Sequence, residues 1–152
     1  MLILADTNIL LRLVERNHPQ QMVSAEAINL LLARGHELVI VPQVVYEFWV
    51  VATRLRESNG LGMSVADVHS EFDELTPEFR LLRDERMILD YWRQLVLDHE
   101  VMGKQVHDAR IVAAMLRHDI SHLLTFNAAD FARYSEITVV NPQRVGELER
   151  AE

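Results

Sequence analysis

The chain is expected to fold as α/β: a three-layer arrangement with a mostly parallel central sheet of about five strands flanked by helices. Two observations carry that expectation. Apolar runs of strand length (Leu2–Ala5, Leu38–Val41, His122–Thr125, Ile137–Val140) alternate with segments of helical periodicity, and several runs end on a turn or a cap. At 152 residues, with 49% hydrophobic and 25% charged composition, the chain is long enough to cover both faces of such a sheet in one domain.

Each element has a local reason. Leu2–Ala5 is a short buried strand running into Asp6, and Thr7-Asn8 can cap a helix to about Glu15, which His18-Pro19 ends. From Gln20 to Arg34, Val23, Ala27, Leu30 and Leu31 recur at helical spacing, and Gly35 supplies the stop. After the second strand, Pro42 opens a helix expected to reach about Glu57. Ser58–Gly62 is the clearest break. Ser64, with Asp67 three residues on, resembles a capping box, Met63 can staple onto Val68, and Val65, Val68, Phe72 and Leu75 form the stripe that follows. Phe79–Leu82 reads as a weak strand, and Asp84 as the cap of a helix with Ile88, Tyr91, Trp92, Leu95 and Val96 on its apolar face. Gly103-Lys104 precede a helix built on Ala109, Val112, Ala113 and Leu116. A short helix over 128–134 separates the last two strands.

Composition excludes several classes. No apolar run approaches the ~20 residues of a membrane helix, and no basic-then-apolar leader stands at Met1, so a cytoplasmic protein is expected. With no Cys, disulfides and zinc–thiolate sites are excluded. The net charge of −8 argues against a broad basic footprint for nucleic acid. Acids gathered in a metal site would be neutralised there, and with one Lys against fourteen Arg any phosphate contact falls mostly to arginine and backbone amides.

Four acidic islands lie where strands end or buried helices begin: Asp6, Glu47, Asp108, and Asn127 with Asp130. Each has a bland explanation. Asp6 can cap a helix, Glu47 can pair with an arginine, Asp108 suits the positive end of a helix dipole, and Asn127 and Asp130 fit the start of a short helix. What those explanations leave over is that all four islands fall at one edge of the expected sheet, where open α/β sheets bind ligands. Carboxylates gathered there repel unless a cation is present, which points to hard metal ions and metal-assisted chemistry. His118 and His122, four apart, are separated by a helix-to-strand passage and make a poor zinc pair; His107 is directed away from Asp108.

Taken in order, Asp6-Thr7-Asn8, Glu47, Asp108 and the segment Thr125-x-Asn127-x-x-Asp130-Phe131 resemble the PIN-domain ribonucleases, most nearly the VapC toxins of toxin–antitoxin pairs. The resemblance covers residues 1–142 as the nuclease domain and leaves 143–152 as a short charged tail. It implies a PIN-like fold and an endoribonuclease using Mg2+ or Mn2+ to activate water against an RNA phosphodiester. Asp6 and Asp108 would be its metal ligands, Glu47 and Asp130 further catalytic acids, and Thr7, Asn8, Thr125 and Asn127 supporting residues. It also implies a small antitoxin partner and a homodimer. Many members carry an acid where this chain has Asn127, which leaves one or two metal ions open. Two other readings stand beside it. One is a PIN-like module that binds without catalysis. The other is a small acidic-pocket signalling domain, for which Asp6 lacks an adjoining acid and the single Lys104 is misplaced.

Overall fold

The computed structural model describes residues 1–148; residues 149–152, the end of the expected charged tail, lie outside the described residues. Five strands form one sheet in the order β3-β2-β1-β4-β5: β1 Leu2–Ala5, β2 Glu37–Ile40, β3 Arg80–Leu81, β4 His122–Leu124 and β5 Thr138–Val140. Every pairing is parallel, with Leu4 opposite Val39 in β2 and Ala5 opposite Leu124 in β4. Ile3, Leu4, Ala5, Leu123 and Leu124 have no solvent exposure. Both faces of the central strands are therefore covered, as crossover helices require.

The helices are α1 Thr7–Val14, α2 Pro19–Ala33, α3 Pro42–Thr53, α4 Val65–Leu75, α5 Arg86–Asp98 and α6 Val106–Arg117. Helix α1 packs on α2 and α3, and α5 packs on α6. Pro19 opens α2 rather than merely closing α1, with His18 Nδ1 accepting from the Gln20 N–H. The buried face of α2 is Ser24, Ala27, Ile28 and Leu31.

Several local expectations are corrected by contacts distant in sequence. Helix α3 stops at Thr53, short of Glu57, because the chain folds back on it. The N–H groups of Leu61, Met63 and Gly62 bond the carbonyls of Val51, Ala52 and Arg54. That return needs Gly60, where an added Cβ would lie 2.0 Å from the Arg54 carbonyl oxygen. Ser64 does accept from the Asp67 N–H, but Val65 is 64% exposed, so the stripe of α4 reduces to Val68, Phe72 and Leu75. Asp84 does not cap α5; Glu85 holds that position without a side-chain bond, while Asp84 pairs with Arg110 of α6 at 3.1 Å. The expected helix over 128–134 is only a 3-10 turn, Ala128–Phe131, and Asn127 makes no capping bond. Residues Pro142–Glu147 form another 3-10 turn, with Val145 buried. Arg34 at the end of α2 donates to the carbonyls of Val145 and Gly146, each at 3.1 Å.

Candidate metal centre

From β1 the chain steps to β2 and β3 on one side, then returns to place β4 and β5 on the other. The switch in direction lies between β1 and β4, and the crevice beyond their carboxyl ends is where such sheets bind ligands. Asp6 and Thr125 are the first residues past these two strands, and the Asp6 N–H donates to Leu124 O at 3.0 Å. Strand pairing therefore fixes the Asp6 backbone at the crevice.

A dense set of bonds fixes its side chain. Oδ1 accepts from the Thr7 N–H at 2.8 Å, so Asp6 itself caps α1, a task expected of Thr7 or Asn8. Oδ2 accepts from the Thr125 hydroxyl at 2.8 Å and from the Asn8 amide at 3.2 Å. Thr125, fully buried, also accepts from Asn8 Nδ2 at 2.9 Å and from the Asn127 N–H at 3.0 Å, which uses its whole bonding capacity. Asn8 Oδ1 accepts from the Phe126 N–H at 3.1 Å and closes the network across the two strands. Capping and facing the crevice are thus compatible for Asp6, because its two oxygens divide the work.

Glu47 approaches from α3. Its Oε2 accepts from the Thr7 hydroxyl at 3.1 Å and its Oε1 from Gln43 Nε2 at 2.9 Å. Glu47 is half-buried, and its neighbours Tyr46 and Val50 are 64% and 53% exposed. Gln43, buried and one helical turn before Glu47, is marked in the sequence only by its spacing of four from Glu47. Its amide also donates to the His107 carbonyl at 2.8 Å, and its oxygen accepts from Arg110 at 3.2 Å, so Gln43 ties α3 to the start of α6.

Asp108 sits in the first turn of α6, partly buried. Burial, then repulsion from Asp6, Asp130 and Glu47, pushes its carboxyl up to about 6, against a lowering influence from His107. Asp6 is also pushed up, chiefly by burial and further by Glu47 and Asp130, while its bonds from Thr125 and Thr7 pull the other way. Asp130 is exposed on the turn after β4, as is Asn127. Asp6 and Asp108 thus both feel the charge of Glu47 and Asp130, and among the described residues no arginine, lysine or histidine forms a salt bridge with any of the four. Arg110, two residues beyond Asp108, is committed to Asp84 and Gln43.

A hard divalent cation fits this donor set: carboxylates only, no thiol, and uncompensated negative charge. Among the described residues no group of three or more His, Asp or Glu side chains is disposed to hold a metal ion together. Magnesium, which keeps several waters and needs one or two carboxylates, does not require one. The histidines contribute no such site: His118 Nε2 lies 2.9 Å from Arg83 O, and His122 Nδ1 2.7 Å from Ser121 Oγ.

An all-parallel sheet with an acid cluster at its switch point defines an α/β protein with a carboxylate-lined crevice. The chain belongs to the PIN domain family, whose model matches residues 3–137. It is 25% identical over 126 residues to the VapC ribonuclease Mb1869c of Mycobacterium bovis, covering 83% of this chain and 90% of that protein. Ribonuclease VapC13 of Mycobacterium tuberculosis matches to the same extent. The fold is similar to VapBC2 from Rickettsia felis bound to a promoter DNA fragment, with TM-score 0.71, 17% identity, and 93% of this chain and 98% of that chain covered. It is also similar to VapBC-1 from nontypeable Haemophilus influenzae, with TM-score 0.70, 16% identity, and coverage of 95% and 100%.

Proposed function

We propose that this PIN-domain chain is a divalent-metal-dependent endoribonuclease, the toxin of a toxin–antitoxin pair acting in the cytoplasm. The carrying observation is the set of acids Asp6, Glu47, Asp108 and Asp130 at the β1/β4 switch point, none of which forms a salt bridge among the described residues. RNA as substrate follows from the ribonuclease names of the curated relatives. Residues 1–142 carry the nuclease unit.

Bound Mg2+ or Mn2+ would supply positive charge for the phosphate and lower the pKa of an attacking water. Asp6 and Asp108 would hold it. Both Asp6 oxygens are oriented by donors, whereas the Asp108 side chain makes no hydrogen bond among the described residues and keeps its oxygens for a ligand. Glu47, steadied by Thr7 and Gln43, would orient the water and take its proton. Asp130 stands at the exposed rim, with Asn127 beside it. Thr125 and Asn8 are positioning residues that act through Asp6.

The partner is a small antitoxin whose arginine enters the acid crevice. A guanidinium there pairs with the carboxylates that otherwise hold metal, so inhibition and metal binding compete. The similar VapBC structures support this reading. Exposed Met87 and Leu89 on α5 support self-association as a homodimer.

The test is cleavage of a structured RNA across a Mg2+ titration, with and without the protein encoded beside this chain. Cleavage that needs the metal and is suppressed by the neighbour is expected. Full-rate cleavage in excess chelator would exclude the mechanism. Loss of all cleavage with retained RNA binding would instead mark a binding module.

A further inference from the structure

Helix α3 carries a second feature beside its Glu47 face. Tyr46 and Val50, four residues apart, share one side of the helix, and Arg54 follows four residues on as its C-cap. With Thr7, Glu47 and His107 they line an open groove of about 560 Å3. The groove is continuous with the acid crevice, because Thr7 and Glu47 belong to both. The Tyr46 ring is 64% exposed and Val50 53% exposed, so apolar surface is left uncovered against the site. Arg54 has no ion pair among the described residues, in contrast to Arg12, Arg80, Arg110, Arg117 and Arg144.

This combination selects an occupant. An exposed aromatic ring and an unpaired guanidinium about two helical turns apart in one groove suit a base and a phosphate of a single strand, since every base has a face that can stack and every nucleotide a charge to neutralise. The acid crevice repels a polyanion, and with one lysine in the whole chain, attraction has to come from arginines near the site. Resting on the ribonuclease reading above, we propose that the α3 groove holds a nucleotide of single-stranded RNA flanking the scissile phosphate, its base stacked on Tyr46 and its phosphate facing Arg54. The loop return through Gly60 and Gly62 bonds the Arg54 backbone and sets where that guanidinium begins. Stacking tolerates any base, so the groove adds affinity and register more than sequence choice.

The experiment is binding of a fluorescent single-stranded oligoribonucleotide in EDTA at several salt concentrations, together with cleavage in Mg2+, for the full chain and three variants. Tyr46→Ala should bind roughly five- to 150-fold more weakly, the span expected for losing one stacked base, while Tyr46→Phe stays within about twofold of the parent. Arg54→Gln should lower the slope of log affinity against log salt by about 0.7, the single-strand value for one phosphate contact. Tyr46→Ala binding and cleaving like the parent overturns the inference and leaves the ribonuclease reading standing. A parent chain that neither binds nor cleaves RNA overturns both. Sedimentation completes the test: if Tyr46→Ala and Tyr46→Phe both convert a dimer to monomer, the groove is a contact between copies and the nucleotide assignment is overturned.

Discussion

Replacing Asp108 with asparagine should stabilise the metal-free protein, and the size of the effect follows from the acid cluster. The Asp108 carboxyl rises from its ordinary 3.8 to about 6, chiefly through burial and then through Asp6, Asp130 and Glu47. A displacement of that size corresponds to about 3 kcal/mol, and partial solvent access reduces it to roughly 1–2 kcal/mol. The sign is set by proton binding. Between pH 3.8 and about 6 the folded chain holds a proton that the unfolded chain has lost, so stability falls as pH rises through that window and then levels off. Asp108→Asn removes the charge without losing a hydrogen bond. In EDTA at pH 7.5 the variant should melt roughly 3–6 °C higher than the parent, and the difference should largely vanish near pH 4. Adding Mg2+ should narrow the gap at pH 7.5, because the ion stabilises the parent through the carboxylate that the variant lacks. Equal or lower melting of Asp108→Asn in EDTA, or a gain that persists unchanged at pH 4, would refute the electrostatic reasoning. Asp6→Asn makes a useful contrast. Its amide would meet the Asn8 amide, donor against donor, where Oδ2 now accepts, so the gain from removing charge should be largely cancelled.

Three further outcomes follow from the same contacts. Thr125→Val removes a buried hydroxyl serving Asp6, Asn8 and Asn127, and should cost about 2–3 kcal/mol in urea unfolding along with most RNA cleavage. Gln43→Leu frees Glu47 Oε1 and the His107 carbonyl; cleavage should fall roughly 10–100-fold, with retained helical circular dichroism showing that the fold survives. Gly60→Ala forces backbone apart at the Arg54 carbonyl and should lower stability by about 1–3 kcal/mol, whereas Gly146→Ala, which meets no neighbouring atom, should be close to neutral.

What was legible in the sequence is what short-range physics decides. Leu2–Ala5 ending on Asp6, Pro42 opening a helix and Ser64 capping one are local patterns, and the sheet and its helices follow from them. The acids could be picked out because carboxylates beside apolar runs are costly without a purpose. Other features depend on partners far along the chain. Asp84 reads as a cap until Arg110 arrives from α6, and Gln43 is an ordinary first-turn residue until His107 and Arg110 pack against it. The early stop of α3 needs the return of residues 61–63, and the exposure of Tyr46 and Val50 needs to be seen in three dimensions. Asp6 serves as both cap and crevice acid because a carboxylate has two oxygens, a possibility that weighing capping against chemistry obscures.

The central claim is that the acids at the β1/β4 switch point hold a divalent cation. Diffraction from Mn2+-soaked crystals at a wavelength where manganese scatters anomalously tests it most directly. The account predicts an anomalous peak between the Asp6 and Asp108 carboxylates, lost in Asp108→Asn crystals treated the same way. Fully soaked crystals with no peak in that crevice, or with manganese bound only elsewhere on the chain, would contradict it.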